Sequence, residues 1–363
     1  MKPIVPTILA VAAIGAAAVA FLADEPADAP RSNAGEPVLP GLQAIDADAV
    51  AAIAVTRSGE TARVSKDADG VWRVEALDGY PADTAAVRRA LTGLAGLTRV
   101  ETRTARPENH ARLDLADPDA EDGAARAASV FGPDGAPIAD ILLGRAGPSL
   151  GTTAATLFVR APGDDQTWLA QGAADLSVDP LNWAESRFLN IRQERVRRVD
   201  VLAPSEGEPY AVLRAVWDQD DPTIEPLPEG RSLTTPGSAR PMAFALESLR
   251  FDAVRRRPGD ASGEIVARIE TFGGLRIDVE KITLDGADWL AFSPSFETPA
   301  EAVPDAAFES DRNDAAKPMR PAEAEAEAAA LAEALAPWLF QPPATRRDRF
   351  QRPVAEMTQA EEG

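Results

Sequence analysis

Two stretches far apart in the chain carry the same series of signals, and a unit that occurs twice must have one fold that both sequences satisfy. AVRRALTGL, Ala86 to Leu94, follows a polar turn at Pro81, and MAFALESL, Met242 to Leu249, follows SARP ending at Pro241. Ala90, Leu91 and Leu94 of the first answer to Ala245, Leu246 and Leu249 of the second. Downstream, SVFGPDGAPIADILLG (Ser129 to Gly144) answers to ETFGGLRIDVEKI (Glu270 to Ile282), each a Phe-Gly turn between apolar alternations, the mark of a β-hairpin. QTWLAQ around Trp168 then pairs with ADWLAF around Trp289, and DPLNWAESRFLNI (Asp179 to Ile191) with EALAPWLFQPP (Glu333 to Pro343). The two halves should therefore share one strand order.

Within the first copy, Ile53, Val55, Val64, Trp72 and Val74 alternate with polar neighbours, as half-buried strands do. Val87, Leu91, Leu94 and Leu97 then fall on one face of a helix, with Asp83 placed to cap its N-terminus and Arg88 and Arg89 on the solvated side. The pattern predicts an α+β protein of two divergent repeated α/β lobes, each with antiparallel strands packed on helices, over residues 43–191 and 192–343. An acidic, Pro- and Ala-rich insert at about 296–320 should loop out as a disordered segment, and Ala322 to Leu335 should form a helix. Residues 344–363 read as a flexible tail.

The chain opens with Lys2 and then an uncharged run, Ile4 to Ala23, of the ~20 residues a bilayer crossing needs. Asp24, Glu25 and Asp28 follow it, so the positive-inside rule places the N-terminus in the cytoplasm and the body outside. Residues 1–23 are thus expected to be a transmembrane helix or a signal peptide cleaved near Ala20. Residues 24–42 follow as a Pro/Ala/acidic linker. The net charge of −21 argues against nucleic acid as a partner. The absence of cysteine excludes a disulfide framework, thiolate catalysis, Cys-ligated metals and a lipoprotein anchor.

In order, IAVTRSGETARV, GVWRVEALDGYPAD, VRRALTGLAGL, LDLADP, ILLGRA, TLFVRAPGDDQTWLA and DPLNWAESRFLNI resemble the bacterial family called domain of unknown function 4340. The resemblance covers roughly Ala51 to Val201 well and the second half more loosely. It implies an N-terminal anchor, a body in the periplasm, and a gene neighbourhood with an ABC transporter and a gliding-motility-type companion. It carries no activity to transfer onto particular residues.

No catalytic, cofactor-binding or metal-binding residues are assigned. His110, in RPENHARLD, is the single histidine and reads as a solvated loop or helix-end residue. The run DPDAEDG, Asp117 to Gly123, has carboxylates at alternate positions but lacks the glycine at the sixth position and the glutamate at the twelfth of a calcium loop. GRAGPSLGTT, Gly144 to Thr153, lacks the lysine of a phosphate loop and fits a strand connection. The arginine clusters at 192–198, 255–257 and 346–352 read as solvated charged faces, with anionic head groups or an acidic partner as the alternative. The functional expectation is a non-catalytic accessory protein anchored in the inner membrane and partnered with an ABC-type transport system. The alternative is an envelope hydrolase or ligand-binding protein with a carboxylate-lined cleft between the lobes.

Overall fold

The computed structural model describes residues 34–44, 49–118, 120, 123–149, 155–309 and 317–361. The expected membrane segment, residues 1–23, lies outside them. Among the described residues no helix is long and apolar enough to cross a membrane.

After a short helix α1 (Pro40–Gln43), the first half runs β1 (Ala52–Arg57), β2 (Glu60–Lys66), β3 (Trp72–Val74), β4 (Tyr80–Pro81), α2 (Thr84–Ala95), β5 (Thr98–Thr102), β6 (Arg126–Phe131), β7 (Pro137–Ala146), β8 (Thr156–Arg160) and β9 (Thr167–Gln171). A connecting strand β10 (Arg187–Leu189) leads to β11 (Val196–Val201), β12 (Tyr210–Leu213), β13 (Thr223–Glu225), β14 (Arg231–Leu233), α3 (Arg240–Ala243), β15 (Leu249–Arg250) and β16 (Ala253–Arg256). The second half continues through β17 (Glu264–Thr271), β18 (Leu275–Leu284), β19 (Ala287–Phe296), α4 (Asp305–Phe308), α5 (Pro321–Leu335), β20 (Trp338–Gln341), α6 (Ala344–Arg347) and β21 (Thr358–Ala360).

The first sheet has the order β4-β3-β2-β1-β6-β7-β8-β9-β5 and the second β13-β12-β11-β17-β18-β19-β20-β16. With β4 set aside, the orders are the same: β1–β3 correspond to β11–β13, β6–β9 to β17–β20, and β5 to β16. Register agrees at the closing edge. Thr98 and Arg99 face Gln171 and Ala170, as Ala253 and Val254 face Gln341 and Phe340. An arginine also lies over the tryptophan of each closing strand: Arg99 on Trp168 at 4.7 Å and Arg256 on Trp338 at 4.8 Å.

This topology corrects two of the sequence pairings. The counterpart of Trp168 is Trp338 on β20, whereas Trp289 lies on β19, the equivalent of β8. EALAPWLFQPP therefore holds the end of α5 and the closing strand β20, and does not follow a closing strand. The sequence misled because the second half inserts α4 and α5 between β19 and β20, where the first half has a short loop.

The fold class also differs from the α+β expectation: among the described residues strand outweighs helix, 36% to 21%, and the four sheets they form are antiparallel. The helix expected over Met242–Leu249 shrinks to the single turn of α3, which has no side-chain cap and gives way to turns before Ser248 at φ 48°. Ala245, Leu246 and Leu249 are buried all the same, so the apolar pattern reported burial correctly and conformation wrongly. In the first half α2 does form, with Asp83 accepting from the Ala85 amide at 2.8 Å and Ala86, Val87, Ala90 and Leu94 buried.

Alternation builds the strands. In β18, Leu275, Ile277 and Val279 are buried while Arg276, Asp278 and Glu280 point to the other side. Two-residue turns set the hairpin registers: Ser58-Gly59 between β1 and β2, and Asp285-Gly286 between β18 and β19, each with positive φ at both positions.

The expected linker is part of the body from Gly35 on. Its chain hydrogen-bonds along the edge of β5, with the Gly35 amide donating to Arg99, that of Arg99 to Glu36 and that of Val38 to Leu97, and Leu39 and Leu42 are buried. The described part of the insert at 296–320 packs on the second half, with Ala307 buried. The expected flexible tail is folded through residue 361: Phe350, Val354 and Met357 are buried, and β21 pairs with β14.

One apolar core runs through both halves. Its joint is the Tyr-Pro turn: the Tyr80 ring meets Phe251 at 5.1 Å, Trp338 at 4.9 Å and Phe340 at 6.2 Å, all edge-on. Phe188 of the connecting strand stacks on Phe340 at 3.9 Å. Small cores on the outer face of each sheet complete the body, one around Leu115 and Phe158 and one around Ile282 and Leu339.

Candidate functional site

The groove between the halves, about 580 Å³, is lined by Asp67, Arg73, Arg256, Glu333 and the Trp338 ring among others. Its carboxylates are Asp67 and Glu333. The Arg73 guanidinium donates to Asp67 at 2.7 Å, and with the Val71 and Asp69 amides it holds that carboxyl below the usual range. A carboxylate so held is a poor general acid, and its oxygens are taken up by Arg73 and two backbone amides.

Other acidic side chains are likewise occupied by arginines. Burial pushes the Asp278 carboxyl up, but the hydrogen bonds from Arg268 and Arg276 outweigh it and leave the group below its ordinary value. Arg195, buried, grips Glu327 of α5 through both its terminal nitrogens and fastens that helix to the body. Arg192 reaches Glu247 at 2.7 Å, Arg198 reaches Asp200 at 2.7 Å, and Arg257 reaches Glu280 at 2.7 Å. The first two arginine clusters thus supply structural ion pairs more than a free solvated face.

His110 is not solvated. It is 5% exposed, and its Nε2 lies 2.9 Å from the Asp165 carbonyl, which can only accept, so that nitrogen carries the proton. Beside it, buried Arg160 donates to the carbonyls of Leu115 and Asp164 and to the Asp117 carboxylate at 2.7 Å. Together these two side chains tie residues 107–117 over the outer face of the first sheet. The first acid of the DPDAEDG run is therefore a partner of Arg160; Asp119, Glu121 and Asp122 lie outside the described residues. Among the described residues no group of His, Asp and Glu is arranged to hold a metal ion. Of GRAGPSLGTT, Gly144 to Ala146 belong to β7, Thr156 beyond it bonds back to the Pro148 carbonyl at 2.7 Å, and residues 150–154 are outside the described set.

The third arginine cluster behaves differently. Residues 345–356 form one wall of a cleft of about 630 Å³, and Lys281 and Asp288 of the β18–β19 hairpin form another. Phe350, buried against Phe292 at 5.8 Å, pins the segment. The Ser205 amide donates to the Gln351 carbonyl at 2.7 Å, Gln351 donates to Ala203, and the Tyr210 hydroxyl donates to the Arg352 carbonyl at 2.7 Å. This fixed backbone presents Arg347, Arg349 and Arg352 to the cleft. The arginine clusters were visible in the sequence, but nothing in it indicated that Lys281 would stand beside the last one.

Two topologically equivalent antiparallel sheets on a common core define a duplicated, mostly-β body. The chain belongs to the family described as domain of unknown function (DUF4340), whose model matches residues 72–264, from β3 to the start of β17 and more than half of the chain. No curated protein and no solved structure matches it.

Proposed function

We propose that this protein is a non-catalytic accessory protein of the cell envelope, anchored in the inner membrane by residues 1–23, with its body in the periplasm and an ABC-type transport system as its partner. The observation that carries the binding reading is the occupation of its acids: Asp67, Asp278, Glu280 and Glu327 are each held by an arginine. Such pairing makes a rigid surface and lowers the supply of groups poised to exchange protons. Location rests on the uncharged run after Lys2 and the acidic residues that follow it.

The test is cross-linking and affinity purification of the full-length chain from intact membranes. A transporter subunit should co-purify, the chain should stay in carbonate-washed membranes, and a C-terminal reporter should be active only outside the cytoplasm. Recovery of cross-linked membrane proteins without any transporter component would overturn the partner. A soluble chain beginning at Phe21 would replace the anchor with a cleaved signal.

A further inference from the structure

We propose that the cleft between the β18–β19 hairpin and residues 345–356 binds a phosphate-bearing anion. The site is a concentration of positive charge in a chain whose formal net charge is −21. Lys281, Arg347, Arg349 and Arg352 face it, against Asp288, Asp348 and Glu356. The acids are already engaged. Glu356 accepts from Arg352 at 3.0 Å, Asp348 lies 3.8 Å from Arg347, and Asp288 accepts from the Thr283 hydroxyl at 2.7 Å.

Lys281 and Arg349 remain, and among the described residues neither side chain has a hydrogen-bond or ion-pair partner. Arg349 is half-buried, and burial first, then the like charges of Arg346 and Arg352, lower its proton affinity. Such a guanidinium gains when an anion arrives, because the anion restores lost solvation and offsets the repulsion. A phosphoryl group fits this chemistry: several acceptor oxygens can take the fork of Arg349 and the ammonium of Lys281 together. The wall is already ordered by Phe350, Gln351 and the Tyr210 hydroxyl, so little ordering is left to occur on binding. A lipid head group and a free phosphate compound both carry this chemistry, and the experiment separates them.

Full-length protein in neutral micelles is titrated calorimetrically with inorganic pyrophosphate and, separately, with a short-chain phosphatidylglycerol. Saturable binding of either supports the site. Binding of the lipid alone assigns a head group, and binding of pyrophosphate assigns a free phosphate compound. Arg349→Gln and Lys281→Gln should each weaken binding about tenfold, the loss of one charge-assisted hydrogen bond. Arg88→Gln, which removes an exposed charge on α2, should not change it. Thermal unfolding checks each variant, and if Arg349→Gln does not fold, Lys281→Gln decides. The proposal is overturned if neither probe binds the unaltered protein, or if the folded cleft variants bind as tightly as the Arg88→Gln control.

Discussion

Removing the Tyr80 ring should separate the two halves energetically. Tyr80 comes from the first half, but the three rings it meets edge-on, Phe251, Trp338 and Phe340, belong to the second. Truncating a buried aromatic to alanine costs about 3 to 5 kcal/mol, of which edge-to-face packing supplies about 0.5 to 1.5 kcal/mol per pair. The hydroxyl is a small part of this. It donates to the Glu185 carbonyl at 3.3 Å, a long bond, so Tyr80→Phe should cost about 0.5 kcal/mol. The assay is urea unfolding of the full-length protein followed by tryptophan fluorescence, since Trp338 lies against the Tyr80 ring and Trp168 lies in the first half. Tyr80→Phe should keep the unaltered protein's transition nearly in place. Tyr80→Ala should shift it to lower urea and split it, because the halves no longer stabilise each other. Equal midpoints for the two variants, with no splitting, would refute the view that this ring joins the halves.

The chain has two tyrosines, and burial pushes both phenols, Tyr80 and Tyr210, well above their ordinary value. The folded protein should therefore show almost no phenolate absorbance at pH 10, where a free tyrosine is half ionised. Stability should be undiminished by these groups below about pH 10 and fall above it, because the unfolded chain then releases protons that the folded one retains. A phenolate signal for two tyrosines in folded protein at pH 10 would contradict this. His110→Ala should destabilise the first half by about 1 to 3 kcal/mol in denaturant titrations, since it leaves the Asp165 carbonyl without its buried donor. An unchanged midpoint would return His110 to a solvated role. Glu327→Gln should cost about 3 kcal/mol and loosen α5 by leaving buried Arg195 without its counter-charge, visible as faster amide exchange over residues 321–335. Unaltered exchange there would show that the ion pair does not hold the helix.

Local features were legible where a few neighbouring residues decide them. Asp83 before an apolar 3.6-residue period forms the capped α2, and the Phe-Gly hairpins at 129–144 and 270–282 stand at equivalent places in the two sheets. The same reasoning overreached at Met242–Leu249, where apolar spacing fixes burial but the backbone follows the turns that Leu246 makes, its carbonyl accepting from the Ile191 amide. It also missed that Trp338 answers to Trp168, because a shared strand order is set by pairing across the sheet and an insertion hides it from a linear reading. The sequence by itself determined the capped α2, the Phe-Gly hairpins and the charge. Tertiary structure alone decided that Tyr80 joins the halves, that His110 is buried, that the C-terminal arginines are pinned by Phe350, and that Lys281 stands across from them. These are contacts between residues distant in the chain, created when strands far apart in order are brought to one edge or one core, and no local spacing encodes them.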